Sequence, residues 1–214
     1  MREVTKSRGG RPSRKEAGDV ERRLLDAALE LFLSEGFAGT SCEAVAKRAG
    51  AGKASLYARY PSKDRLFEAV IRRHAGTLPH IERPDPGLPI EERLRQAGLD
   101  MLEHASRRET LAMMRLVIAT ADRFPGIAAE ASRIGWDAGR LRARQAIEEG
   151  SDRVVDADAL AEEFIDLVFA PHQLRVLLGE NPADLLAHGS TRVDRAIRIL
   201  RGRLDGTRGS SDRG

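Results

Sequence analysis

At 214 residues, 41% hydrophobic and 32% charged, the chain is long enough for one large or two small domains with a sizeable core. No stretch approaches the roughly 20 apolar residues of a membrane span. The basic N-terminus lacks the apolar run of a signal peptide, and the lone Cys42 excludes an intramolecular disulfide and suits a reducing cytoplasm.

Aromatic residues make up only 4%, so the core has to be Leu, Ala, Ile and Val, as in helix bundles. Residues 1–18 are basic and nearly free of apolar side chains, with Arg2, Lys6, Arg8, Arg11, Arg14 and Lys15 against Glu3 and Glu16. Such a segment buries too little to order itself. Gly10-Arg11-Pro12, flanked by Arg8 and Arg14, resembles the centre of an AT-hook, and arginines of such arms enter narrow minor grooves. A plain solubilising tail is the alternative.

A first helix is expected over 20–35, with Leu24, Ala28, Leu31 and Phe32 on one face, widened by Leu25 and Leu29. Gly36 ends it and Phe37 folds back. Thr40 and Glu43 have capping-box spacing, which starts a helix at Ser41 or Cys42. Gly50-Ala51-Gly52 stops that helix. A second short helix resumes at Lys53, carries Leu56, Tyr57 and Tyr60, and is closed by Pro61. An ordinary helical hairpin has the same spacing. If Lys53 to Tyr57 project, they fit a DNA major groove, with phosphate favoured near a helix N-terminus. A further helix starts near Ser62, a good N-cap, and carries Leu66, Phe67, Val70, Ile71 and His74.

The prolines between Pro79 and Pro89 mark a boundary. Helical patterns follow over 90–106, 108–122 and from Pro125 to about Glu149. Two more cover 157–178, where Pro171 inside the helix kinks it or frees a carbonyl, and 190–204, where Val193, Ile197, Leu200 and Leu204 form an apolar stripe. Asn181 to His188 is a loop or short helix.

The run from Leu56 to Leu66, LYARYPSKDRL, closely resembles the signature of the TetR family. Ala27-Ala28-Leu29-Glu30-Leu31-Phe32, Gly36-Phe37 and Thr40-Ser41 match the same family's first helix and entry to the second. The resemblance covers Leu24 to about Val70. Gly52, Ala54 and Tyr60 depart from it, where Ser, Gly and Phe are usual. Arg115 to Ile118 and Arg123-Phe124-Pro125 resemble one C-terminal subset of the family. The resemblance implies a three-helix DNA-binding domain followed by a helical regulatory domain that dimerises and takes a small effector.

Other chemistry finds little support. Gly50-Ala51-Gly52-Lys53 lacks the hydroxyl and the preceding strand of a phosphate loop. The five histidines are scattered, so no metal site is expected. No GxSxG occurs, and Glu91-Glu92 and Glu162-Glu163 read as solvated faces. Cys42 reads as a small helix residue rather than a redox sensor.

The expectation is an all-α regulator that is not an enzyme and needs no cofactor. Its segments are a basic arm at 1–18, a DNA-binding domain at 19–74, a ligand-binding and dimerisation domain at 75–205, and a tail at 206–214. Arg11, Arg14, Thr40, Ser41, Lys53, Ala54, Ser55, Tyr57, Tyr60 and Lys63 are expected at DNA. Met101, His104, Met113, Val117, Trp136, Phe164 and Val168 are the candidate lining for a mostly apolar ligand, although apolar residues at this spacing are more often core. Leu167, Leu174, Val193, Ile197, Leu200 and Leu204 are expected between two copies, the alternative being burial within one. The expected function is repression from a palindromic operator by a cytoplasmic homodimer released by its ligand. The alternative is a ligand-independent or protein-regulated DNA-binding factor whose C-terminal domain only dimerises.

Overall fold

The computed structural model describes residues 14–75, 85–148 and 156–205. The arm through residue 13, including Arg11, the first prolines of the boundary run and the tail at 206–214 lie outside the described residues. Among the described residues there are ten helices and no strand, so the fold is all-α as the periodicity implied. The chain divides into two compact units, residues 1–73 and 74–214.

In the first unit, α1 (Arg14–Gly39) begins inside the stretch expected to be arm. Arg14, Lys15, Glu16 and Ala17 are good helix formers, and extending an existing helix costs little. Gly36 interrupts α1 with φ 73° and ψ 173°, a conformation that favours glycine. The break turns Phe37 inward. Its ring lies 5.9 Å from Phe32 and meets Phe67 edge-on at 5.1 Å, while Phe32 and Phe67 meet edge-on at 5.2 Å. Such ring pairs add about 0.5–1.5 kcal/mol each beyond the area they bury.

The cap of α2 (Cys42–Arg48) falls one residue later than the capping box suggested. Ser41 is the N-cap, and its hydroxyl accepts from the Ala44 N–H at 3.1 Å. A short turn leads to α3 (Lys53–Tyr57), which ends earlier than expected. Leu56, fully buried, pins α3 to the core made by Leu24, Ala28, Val45, Leu66 and Phe67. The unit closes with the start of α4 (Lys63–Ala75).

The second unit contains α5 (Ile90–Ser106), α6 (Arg108–Ala119), α7 (Pro125–Glu148), α8 (Ala157–Leu177), α9 (Pro182–Ala187) and α10 (Gly189–Asp205). Helix α8 runs through Pro171 as one element. Asn181 caps α9 through an Ala183 N–H bond of 2.9 Å, with Pro182 in the first turn. Helices α5, α7, α8 and α10 share one core, which includes Leu94, Leu102, Ile147, Phe164, Ile165 and Leu200. The helices meet closely at Gly98, where a methyl group would lie 2.9 Å from Val193 Cγ2 and 3.0 Å from the Phe164 ring. The β-branched Val193 has little freedom to retreat.

The stripe on α10 corrects an expectation. Val193, Ile197, Leu200 and Leu204 are at most 7% exposed, inside the core of their own unit. They are spent on intramolecular packing, and side chains already removed from water gain little from a second copy. Leu174 on α8 is 59% exposed and Leu167 half-buried. Leu178, just beyond α8, and Ile199 on α10 are also exposed, at 77% and 57%.

Polar groups join these helices internally. The Arg93 Nε–H donates to the Ala146 carbonyl near the end of α7 at 2.8 Å. His172 is fully buried between Ser106 and Arg192. The Ser106 hydroxyl donates to the Leu102 carbonyl at 2.7 Å, so it accepts from His172 Nε2–H at 2.8 Å. Nδ1 then accepts from Arg192 at 3.0 Å. Burial, aided by the Arg192 and Arg175 guanidinium groups, pushes His172 down to about 4, which keeps the ring neutral.

Candidate nucleic-acid interface

The outward face of the first unit follows from how α3 is pinned. With Leu56 inward, Lys53, Ala54 and Tyr57 are exposed, Tyr57 at 42% although it is a large aromatic. Gly52 occupies the N-cap without a side-chain bond to the backbone. Ser41, Lys47 and Arg48 are exposed on the neighbouring α2. These side chains form a polar surface built on two short helices.

Three polar contacts organise it. The Tyr57 hydroxyl donates to Glu43 Oε1 at 3.4 Å, and Lys53 Nζ lies 3.5 Å from the same oxygen. The Glu43 carboxyl is held below its ordinary range by its own backbone N–H and then by Lys53. Ser55 is half-buried, and its hydroxyl oxygen accepts from Arg59 Nη1 at 2.8 Å. That bond leaves the serine O–H as a donor. Sequence reasoning did not assign Glu43, Lys47 or Arg59 here. Glu43 was read only as half of a capping box, and the two cations resemble any charged helix face.

Three residues expected at DNA make hydrogen bonds within the unit. Thr40 is 2% exposed, and its hydroxyl donates to the Gly36 carbonyl at 2.8 Å. Tyr60 is 8% exposed and donates to Glu21 Oε1 at 3.2 Å. Burial, followed by the Glu21 carboxylate, pushes its phenol up to about 12. Lys63 Nζ donates to the carbonyls of Phe37, Ala38 and Thr40 at 2.8, 3.3 and 2.9 Å. An ammonium has three donors, so these bonds leave none for phosphate. Arg14 is the first residue of α1. Cys42 is buried, and burial raises its thiol pKa, the opposite of an activated thiolate.

The residues expected to line a ligand cavity lie in different surroundings. Met101, Phe164 and Val168 belong to the shared core, Met113 is buried, and Val117 is half-buried. His104 is half-buried; its Nδ1 is buried without a hydrogen-bond partner, and burial lowers its pKa. Trp136 packs edge-on against Phe169 at 5.4 Å. It lines an open depression of about 240 Å³ between α7 and α8, together with Ile165 and the charged Arg133, Arg140, Glu162 and Asp166. Among the described residues no group of His, Cys, Asp or Glu is placed to hold a metal ion, and no helix is long and apolar enough to cross a membrane.

The family model for bacterial regulatory proteins of the tetR family matches residues 24–70, and that for the C-terminal domain of AefR-like transcriptional repressors matches residues 92–203. The HTH-type transcriptional activator FasR of Mycolicibacterium smegmatis is 35% identical over 94 residues, covering 41% of this chain and 43% of its own. The HTH-type transcriptional repressor KstR of Rhodococcus jostii is 30% identical over 123 residues, 58% of each chain. The chain thus spans about half the length of the curated relatives it matches. Among solved structures, the flavonoid-responsive regulator FrrA is 28% identical with a TM-score of 0.67, over 86% of this chain and 97% of that one. With both units matched in order, the chain belongs to the TetR family of helix-turn-helix transcriptional regulators.

Proposed function

We propose that this protein is a cytoplasmic transcriptional repressor that binds a palindromic DNA operator as a homodimer. The observation that carries the reading is the exposed set Ser41, Lys53, Ala54 and Tyr57, displayed by two short helices and held by the buried Leu56. Lys53 and Tyr57 grip phosphate, while Ser55 offers a donor to base acceptors. Arg11 extends the contact into the minor groove. Repression is favoured over activation by the AefR-like match across residues 92–203. The contact between copies uses Leu174, Leu178 and Ile199, with Leu167 beside them, because these large apolar side chains on or next to α8 and α10 are exposed or half-buried in the single chain.

A small, mostly apolar or aromatic ligand releases the operator. The flavonoid response named for FrrA supports an aromatic class, and the shared core of the second unit is mainly aliphatic and aromatic. The close packing at Gly98 favours the second reading, a second unit that dimerises without a ligand. Footprinting of DNA that the wild-type protein selects from a random pool tests the first part. The expected result is two protected half-sites related by a two-fold axis. Protection of a single asymmetric site would overturn the dimer. Titration of flavonoids, with Trp136 fluorescence and DNA release followed together, separates the two regulatory readings.

A further inference from the structure

Between Thr40 and Pro61 the chain has one acidic residue, Glu43, among Lys47, Arg48, Lys53 and Arg59. A surface that meets a polyanion gains nothing from a carboxylate as such. Yet Glu43 is exposed on α2, and one of its oxygens is shared by two groups of α3, Tyr57 OH at 3.4 Å and Lys53 Nζ at 3.5 Å. These are the two groups assigned above to phosphate.

From this arrangement we infer that Glu43 is a specificity-determining residue, which restrains binding to DNA of the wrong sequence. The inference rests on the DNA-binding reading of this surface. Non-specific association is almost wholly phosphate neutralisation. Glu43 opposes it twice, by holding Lys53 and Tyr57 against α2 and by repelling phosphate. At the right sequence the opposition is smaller, because a major groove offers the carboxylate a partner, the amino group of cytosine. An operator thus replaces what the carboxylate gives up, and arbitrary DNA does not. A role only in starting α2 would predict no such difference between DNAs.

The test uses the full-length protein, Glu43→Gln, and two duplexes, one selected by the wild type from a random pool and one with its sequence scrambled. Gln keeps an acceptor for Tyr57 and removes the charge. Affinities are read by fluorescence anisotropy between 50 and 200 mM salt. Glu43→Gln should bind the scrambled duplex about threefold to tenfold more tightly, with a log–log salt slope steeper by about 0.9, as expected for one more phosphate contact. The selected duplex should gain less, so the ratio of the two affinities falls several-fold. In a Lys53→Met background the gain on scrambled DNA should shrink. Equal gains on both duplexes, an unchanged ratio, or a gain that persists undiminished without Lys53 would overturn the inference. Because the ratio is measured within one protein, a change in stability does not imitate it. Failure of the wild type to bind any duplex in a salt-dependent way would instead overturn the DNA-binding reading.

Discussion

The two units fasten themselves with polar side chains in different places. In the first, long polar residues tie chain ends together from the rim: Lys63 on three carbonyls, Tyr60 on Glu21, Arg48 on Glu30 and Arg73 on Asp26. In the second, exposed ion pairs such as Arg95 with Asp194 accompany polar contacts deep in the interior, as with the fully buried His172 between Ser106 and Arg192. Size explains the contrast. A small unit has a large surface for its volume and little room for a purely apolar core. Its termini are fastened by side chains that a motif alone would assign to DNA. The larger unit has a core of its own to fill, and it draws the α10 stripe inside.

The sharpest way to break this comparison is on α10. Ile197→Asp places an unpaired carboxylate in a core and should cost about 3–5 kcal/mol. The melting transition of the second unit should then collapse. Leu174→Asp, at a site exposed in the single chain, should yield monomers in sedimentation that remain folded, with a smaller loss in melting temperature than Ile197→Asp. A folded Ile197→Asp protein with a wild-type melting curve would return the stripe to the surface.

Opposite pH limits are the next expected effect. His172 is held down to about 4 in the fold, against about 6.5 in an unfolded chain. Its contribution is therefore complete above about 6.5 and is lost as pH falls from there through 4, by roughly 3 kcal/mol at most. Tyr60 runs the other way. The fold keeps its proton up to about 12, whereas an unfolded tyrosine loses it near 10, so its contribution is lost as pH rises from 10 through 12. Urea midpoints followed across pH should flatten on the acid side in His172→Gln and on the alkaline side in Tyr60→Phe. Unaltered profiles in both variants would separate these groups from stability.

The Lys63 assignment gives the smallest expected change. Lys63→Met leaves carbonyls at 37, 38 and 40 without their donor and should cost about 1–3 kcal/mol in the first unit. The salt slope of DNA binding should stay as in the wild type, since the three carbonyls engage the ammonium's three donors. A slope shallower by about 0.9 would restore Lys63 to the DNA surface.

The sequence conveyed the helices well because their signals are local. Gly36, Gly50, Pro61, Pro125 and Asn181 punctuate the chain, and the apolar period between them is helical. The start of α1 was missed because a polar segment that tolerates a helix resembles one that remains uncoiled. The exposure of Lys53 and Tyr57 was legible because Leu56 fixes the face they occupy. The internal bonds of Thr40, Tyr60 and Lys63 were not, because a polar residue near a helix end can turn toward solvent or toward a carbonyl, and spacing does not distinguish the two. The destination of the α10 stripe was equally hidden, since an apolar face fits its own core or a copy's. Gly98 is one glycine among twenty, and only the packing around it sets it apart.

That glycine bears on how fast a small molecule could act. Helix α5 approaches α8 and α10 so closely there that not even a methyl group fits without displacing Val193 or Phe164. An effector directed at this part of the core has to wait until the helices separate. Its observed affinity is the intrinsic one reduced by the fraction of time the gap is open. Its association rate would level off at high concentration, at the rate of helix separation rather than the rate of encounter.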